Sequence, residues 1–447
     1  MEPEPNTLVK QFIRYVIPSI AAQWVYALYN MVDGIFVARG VGEQALTAVN
    51  LSNPFLQLMF ALSLLFAVGA STVTSILLGR GECRQASQVF SQTVLFLGGL
   101  GLLLAGLVLP NLERAARFLG AQDPETLLLV QEYLRFVAPF APAFLLSYAF
   151  EVLIKTDGYP RKAVAIVILG AVENCVLDWL LVMVLHKGVA GAAFATGFSQ
   201  FTLTLIYLRH FLQKRGSIHF VRFPLRLSLL LREACCGFSA ALTELSTGAV
   251  TLIFNRVILL CLSRDALVSY AIVSYLNSLT VFSVIGVVQG SQPLISRCYG
   301  RQERGFCRRL LRLSLGTSLG FCLGAALLCA LFAGPIAACY IGPGLPELRL
   351  YSQSVIRIFV LSFLLMGVNV SLSGYLAAVE CSGPAVLISG GRGFVLLVAS
   401  LFLLTRLFGG AGVWWAPLLS ESVTLCLGLG LCFQLRGRMF PPAGPQA

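Results

Sequence analysis

Residues 165–185 read AIVILGAVENCVLDWLLVMVL. A helix crosses the hydrocarbon of a bilayer with about 20 mostly apolar residues, so this run is long enough to span. It nevertheless contains a carboxylate, Asp178, and an amide one helical turn before it, Asn174. A charge at membrane depth is costly and marks an interior or water-lined position by default. The stretch therefore decides the fold class and also says where to look for the chemistry.

The rest of the chain agrees with it. The 447 residues are 57% hydrophobic and only 12% charged, with a mean hydropathy of +0.83. A soluble domain carries about 25% charged residues. The apolar residues fall in long blocks, which predicts an all-α integral membrane protein with twelve transmembrane helices. The expected spans are 12–36, 50–78, 92–110, 132–153, 163–185, 188–208, 233–262, 268–296, 313–340, 351–379, 384–405 and 411–434. The opening MEPEPNTLVK has neither the basic start nor the small-residue cleavage site of a signal peptide, so the first span is expected to be retained.

The net charge of +12 is distributed by topology. With the N-terminus in the cytoplasm, cytoplasmic segments hold 21 of the 32 Lys and Arg (Lys155 among them) and external loops hold 7. That positive-inside bias puts both termini in the cytoplasm of a cell inner (plasma) membrane and gives no footprint for nucleic acid. The thirteen cysteines have no C-x-x-C pair and no His at ligand spacing, so neither a disulfide framework nor a metal centre is expected. A monomer embedded in the lipid bilayer, without an organic cofactor, is the expected form.

The longest basic loop, 209–232, divides the chain into an N-terminal lobe (1–208) and a C-terminal lobe (233–447) of six spans each. GASTVTSILLGRGE (69–82) aligns with GSQPLISRCYGRQE (290–303) at an offset of 221, and GVAGAAFATGFSQ (188–200) aligns with GGAGVWWAPLLSE (409–421) at the same offset. An even number of spans per repeat makes the repeats parallel, related by an axis along the membrane normal. Such paired bundles suit alternating access, which neither a channel nor an intramembrane enzyme requires.

The acids inside the expected spans are Asp33, Glu132, Glu151, Glu173, Asp178, Glu244 and Glu421. Glu132 and Glu151 lie near span ends and are read as snorkelling. Asn174 and Asp178 are four residues apart and share a helix face, offering oxygens suited to a hard cation or a shared proton. Asp33 follows Asn30 by one turn on the first span, and Thr196 and Gln200 repeat the i, i+4 spacing on the sixth. The competing reading is helix-to-helix hydrogen bonding as packing glue. Moving Asn174 and Asp178 by 221 reaches Val395 and Ala399, and Asp33 reaches Phe254. Scaffolding would be needed in both halves, so an asymmetric cluster reads as a cation-coupling site. Glu244 is read as an acid that either serves the other lobe or faces substrate, and Pro18 as a bend in the first span. Glu173 and Arg256 receive no role.

YVIPSIAAQWVYALYNMVDGIFVARGVGEQALTAVNLSNP (15–54), DGYPRKAVAIVILGAVENCVLDWLLV (157–182) and GVAGAAFATGFSQ (188–200) resemble the first, fifth and sixth spans of multidrug and toxic compound extrusion (MATE) transporters, in particular the bacterial MepA-like and DinF-like branches. The resemblance implies two six-helix lobes around a central cleft, and export of bulky, mostly cationic drugs and toxic compounds driven by inward H⁺ or Na⁺. It implies a cation site at Asp33, Asn174, Asp178 and Thr196, with metal binding limited to Na⁺ there. Glu173 stands where the family has an apolar residue, and the tenth span, LLMGVNVSLSGYLAA, lacks the acid another branch uses.

Three other functions compete with drug antiport. A flippase for a lipid-linked precursor on the same fold would call for cations lining the cleft, and the spans hold few. An intramembrane enzyme would need a partner for the acids, but His186, His210 and His219 all lie at span ends or in a loop. An ion channel would show single-channel current rather than saturable flux.

Overall fold

The computed structural model describes the backbone of residues 5–440, and those residues form helices and turns with no strand. In lipid every backbone polar group must find its partner within the segment or in a closed barrel, so long apolar runs become helices. The first half contains α1 (Pro5–Gly40), α2 (Glu43–Gly79), α3 (Cys83–Val108), α4 (Leu112–Phe118), α5 (Pro124–Val137), α6 (Ala141–Thr156), α7 (Pro160–Asp178) and α8 (Gly188–Leu212). Proline opens α5 and α7, where its missing N–H costs nothing. Asp123 caps α5 through Thr126 N–H at 2.8 Å, and that bond holds its carboxyl below the ordinary carboxylate value. Serine and threonine within the spans return their hydroxyl protons to carbonyls one turn back, as Ser52 does to Ala48 and Ser91 to Ser87.

The second half contains α9 (Leu227–Cys261), α10 (Arg264–Gly300), α11 (Arg304–Leu331), α12 (Ala333–Tyr340), α13 (Pro346–Phe359), α14 (Leu361–Ala378), α15 (Ser382–Gly390), α16 (Leu396–Phe408) and α17 (Gly412–Gln434). The offset of 221 is visible in the helices themselves. α10 begins and ends 221 residues after α2, α11 and α12 begin 221 after α3 and α4, and α9 ends 221 after α1. Ten helical segments among the described residues are long and apolar enough to cross a membrane. The last of these, Ser382–Gln434, holds two of the expected spans, and α1 lies outside the ten. The twelve spans expected from sequence are thereby accounted for.

Packing divides the chain elsewhere than the sequence repeat does. One compact unit is Ala21–Gly237; the other takes the start of α1 as far as Ile20 together with everything from Phe238. The repeat boundary falls in the loop before α9, whereas the packing boundaries fall inside α1, two residues after Pro18, and inside α9. In the first unit, Val37, Ala48, Met59, Val130 and Leu134 form one buried cluster, and Val73, Phe90, Phe150, Tyr207 and Phe211 another. In the second, Phe12 and Val16 of α1 pack with Val287 and Leu376, and a larger cluster gathers around Ile258, Ile356, Phe363 and Trp414.

Between helices in lipid, close packing of small residues replaces the hydrophobic driving force. The start of α9 lies against α2 in this way. A Cβ on Gly69 would overlap the Glu233 carbonyl, and one on Gly237 would overlap the Leu65 carbonyl. Gly69→Val should therefore sharply reduce the yield of monodisperse protein on size-exclusion chromatography. Gly99→Val, where a Cβ would meet no neighbour within 4 Å, serves as the control and should leave the yield unchanged.

The stretch expected as a basic loop at 209–232 is helical at both ends, leaving 213–226 between α8 and α9. It is fastened to the first unit by its backbone. Asp157 Oδ1 accepts from Ser217 N–H (2.7 Å) and Ile218 N–H (3.0 Å), while its other oxygen meets His210 Nε2 at 3.0 Å. Gly216 leaves the room that this carboxylate occupies. Further along, Ser91 Oγ accepts from Val221 N–H (3.0 Å), and the Gln92 amide exchanges hydrogen bonds with both backbone groups of Arg226.

Candidate functional site

The polar residues singled out in the first half come together from α1, α7 and α8, all within the unit Ala21–Gly237. Asn174 and Asp178 stand on one face of the last two turns of α7, with relative exposures of 1% and 0%. The Asn174 amide satisfies both of its ends when Nδ2 donates to Asp178 Oδ2 (2.9 Å) and Oδ1 accepts from Thr196 N–H (3.2 Å). Thr196 thus contributes its backbone, since its hydroxyl donates to Ala192 O at 3.0 Å. Beyond Asp178 the helix widens into a π-helical segment, Trp179–Val184, marked by Leu185 N–H donating to Leu180 O at 2.9 Å. Such bulges recur at functional sites.

Asp33 of α1 interacts electrostatically with Asp178. Two like charges disfavour each other, so a proton or cation beside the two carboxyls relieves them. Each of the two acids also keeps a buried oxygen, Oδ1, without a hydrogen-bond partner among the described residues. Tyr29, one turn before Asp33, and Tyr133 of α5 interact electrostatically with both acids. Neither tyrosine was named from the sequence. Tyr29 sits four residues before Asp33 and was findable by spacing; nothing local marks Tyr133. Asn30 lies in α1, but its side chain is outside the described residues.

A cavity adjoins the acid pair through Tyr29. Tyr26, Tyr148, Tyr207, Gln200 and Glu151 also line it. Tyr26 and Tyr29 meet edge to face at 6.0 Å, and Phe60 lies between Tyr26 and Tyr148, 6.0 and 4.9 Å from their rings. Gln200 therefore belongs to this cavity rather than to the acid pair, and its Oε1 accepts from Ser147 Oγ at 2.6 Å.

The structure corrects the reading of Glu151 and Lys155. Glu151 was expected to snorkel and Lys155 to lie in a cytoplasmic segment. They are 4% and 2% exposed, and Lys155 Nζ bonds Glu151 Oε1 at 2.6 Å. Adjacent turns of α6 present both side chains to the interior, where a paired charge is tolerated. Glu173 also acquires a partner: Thr202 Oγ1 of α8 donates to it at 2.8 Å. Glu233 of α9, absent from the candidate acids, is fully buried and takes a hydrogen bond from Thr93 Oγ1 at 2.9 Å. The signal it offered was an acid at the edge of an apolar run, beside Arg232.

The other unit holds a different polar cluster. Glu421 of α17 receives Arg392 Nη2 at 3.0 Å, Arg392 Nε at 3.1 Å and Asn369 Nδ2 at 2.7 Å. Glu421 and Arg392 stand 221 residues after Gln200 and Ala171, so the second repeat carries its charge at positions that are neutral in the first. Glu244 of α9 is half-buried and apart from this cluster, and Arg256 is exposed. Pro18 lies within α1 without ending it. Among the described residues no three His, Cys, Asp or Glu side chains gather as a metal site.

The MatE family model matches the chain twice, over residues 18–180 and 239–401, which are again 221 apart. The multidrug export protein MepA of Staphylococcus haemolyticus is 24% identical over 440 residues, covering 98% of this chain and 96% of that protein. MepA of a bovine Staphylococcus aureus strain is 25% identical over 449 residues, with the same coverage. A crystal structure of MATE in complex with MaL6 superposes with a TM-score of 0.89 at 20% identity, covering 96% of each chain. At that identity, the likeness to the solved structure establishes the fold.

Proposed function

The chain belongs to the MatE family, and from that premise we propose that it is an antiporter exporting organic, mostly cationic, compounds in exchange for an inward-moving H⁺ or Na⁺. It is a multi-pass membrane transporter and not an enzyme. The observation that carries the coupling proposal is the pairing of Asp33 with Asp178, two interacting carboxyls that each keep a buried unpartnered oxygen, the second braced by Asn174. A site that holds one exchangeable positive charge is what coupling requires. A proton would sit on the pair itself. Na⁺ would draw on the unpartnered Oδ1 atoms of both acids, since a hard cation prefers oxygen ligands.

In this reading Asp33, Asn174, Asp178 and Thr196 form the coupling site. The tyrosine-lined cavity beside it receives the cargo, and alternating access moves both across the membrane. Cargo and coupling ion drive each other by favouring different states of the transporter. The flippase reading has no comparable observation, because among the described residues Glu151 is the cavity's sole charged lining group. Both termini are assigned to the cytoplasmic side of the plasma membrane from the charge distribution.

Purified protein in liposomes loaded with a fluorescent organic cation tests the proposal. Imposing a pH gradient and a Na⁺ gradient separately should drive uphill movement with at least one of them. Flux that only ever dissipates the cation's own gradient would overturn antiport.

A further inference from the structure

The cavity beside the acid pair has the composition of a cation site, but its one acid is already occupied. Four tyrosines, Tyr26, Tyr29, Tyr148 and Tyr207, line it, and Gln200 adds an amide. Aromatic walls of this kind attract organic cations. Among the described residues Glu151 is the only charged one in the lining, and its carboxylate also acts on Tyr207. Lys155 is not part of the lining. Its ammonium reaches Glu151 from one turn further along α6, at 2.6 Å and almost fully buried.

We infer that Lys155 is a specificity-determining residue: a tethered cation that cancels Glu151 and keeps the cavity wall electrically neutral. This rests on the proposal that the cavity receives the cargo. A neutral wall leaves the cargo's charge to be answered by the Asp33–Asp178 pair, which the coupling ion also uses. An uncancelled Glu151 would hold the cation on its own account, and the coupling ion would lose its leverage over release. Lys155 acts on the cargo through Glu151, and it shares no wall with it.

Charge cancellation has a signature that loss of packing does not. Removing one member leaves a charged wall, and removing both restores neutrality. The probes are ethidium, a phenanthridinium with one charge, and propidium, its relative with two. Binding is measured by fluorescence to purified full-length protein. Lys155→Met should tighten ethidium about tenfold and propidium more. Glu151→Gln leaves Lys155 alone and should weaken ethidium about tenfold. The double variant should return to within about twofold of the parent. Two single variants that both weaken ethidium, or a double variant as weak as Glu151→Gln, would overturn the inference. If Lys155→Met does not fold, Glu151→Gln against the double variant still decides it. A parent protein that neither binds nor moves ethidium would instead defeat the cargo-cavity reading itself. A parent that binds it, with an affinity that none of these variants moves, defeats only the role of Lys155.

Discussion

Asp178→Asn should abolish gradient-driven export while leaving a folded transporter. The substitution preserves shape, and the new amide oxygen can still accept from Asn174. What disappears is the capacity to hold an exchangeable charge against Asp33. Coupling between sites is typically worth 1–3 kcal/mol, or about 5–150-fold. The initial rate of uphill efflux from liposomes should fall about a hundredfold, the upper part of that range, while ethidium binding to the same preparation, with Asp33 still in place, weakens but stays measurable. Uphill accumulation at the parent rate would remove Asp178 from the mechanism. Thr196→Val is a useful companion: because Thr196 meets Asn174 through its backbone N–H, losing the hydroxyl should cost far less.

Arg392→Met should be strongly destabilising. It retains much of the stem volume but leaves Glu421 buried with no counter-charge. Removing one partner of a buried ion pair costs about 3–5 kcal/mol. The first repeat supplies the remedy. At the corresponding positions it has Ala171 and Gln200, so Arg392→Ala combined with Glu421→Gln reproduces a pairing the fold already accommodates. The amide oxygen introduced by Glu421→Gln could still take the hydrogen bond from Asn369 Nδ2. Thermal unfolding in detergent should show a clear drop in midpoint for Arg392→Met and recovery of most of it in the double variant. A single variant as stable as the parent would show that the pair carries no such weight.

The sequence and structure agree where one helix suffices for the argument. Asn174 and Asp178 are a turn apart, so their shared face follows from helix geometry alone. The offset of 221 follows from sequence identity and reappears in the helix boundaries. Agreement fails where burial depends on a neighbouring helix. Lys155 looks like a loop cation because α6 ends there, yet the packing around it encloses it and only Glu151 makes that tolerable. Tyr133 of α5 interacts electrostatically with the acid pair with no periodic signal to announce it. The second repeat does not keep its charges where the first does. Phe254 and Ala399 stand at the positions of Asp33 and Asp178, and Arg392 and Glu421 at those of Ala171 and Gln200.

The displaced boundaries within α1 and α9 have a consequence for the order in which the protein can be completed. Translation delivers the first repeat by residue 208, but the compact unit it mostly forms also needs residues as far as Gly237, with Gly69 seated on Glu233. The opening of α1, through Ile20, finds its apolar partners Val287 and Leu376 only after most of the second repeat has been made. Neither repeat is a self-sufficient folding unit at the ribosome. A nascent chain stalled before residue 227 should expose the α2 face that α9 covers and remain a substrate for membrane chaperones. Extension past Gly237 should bury that face and release it.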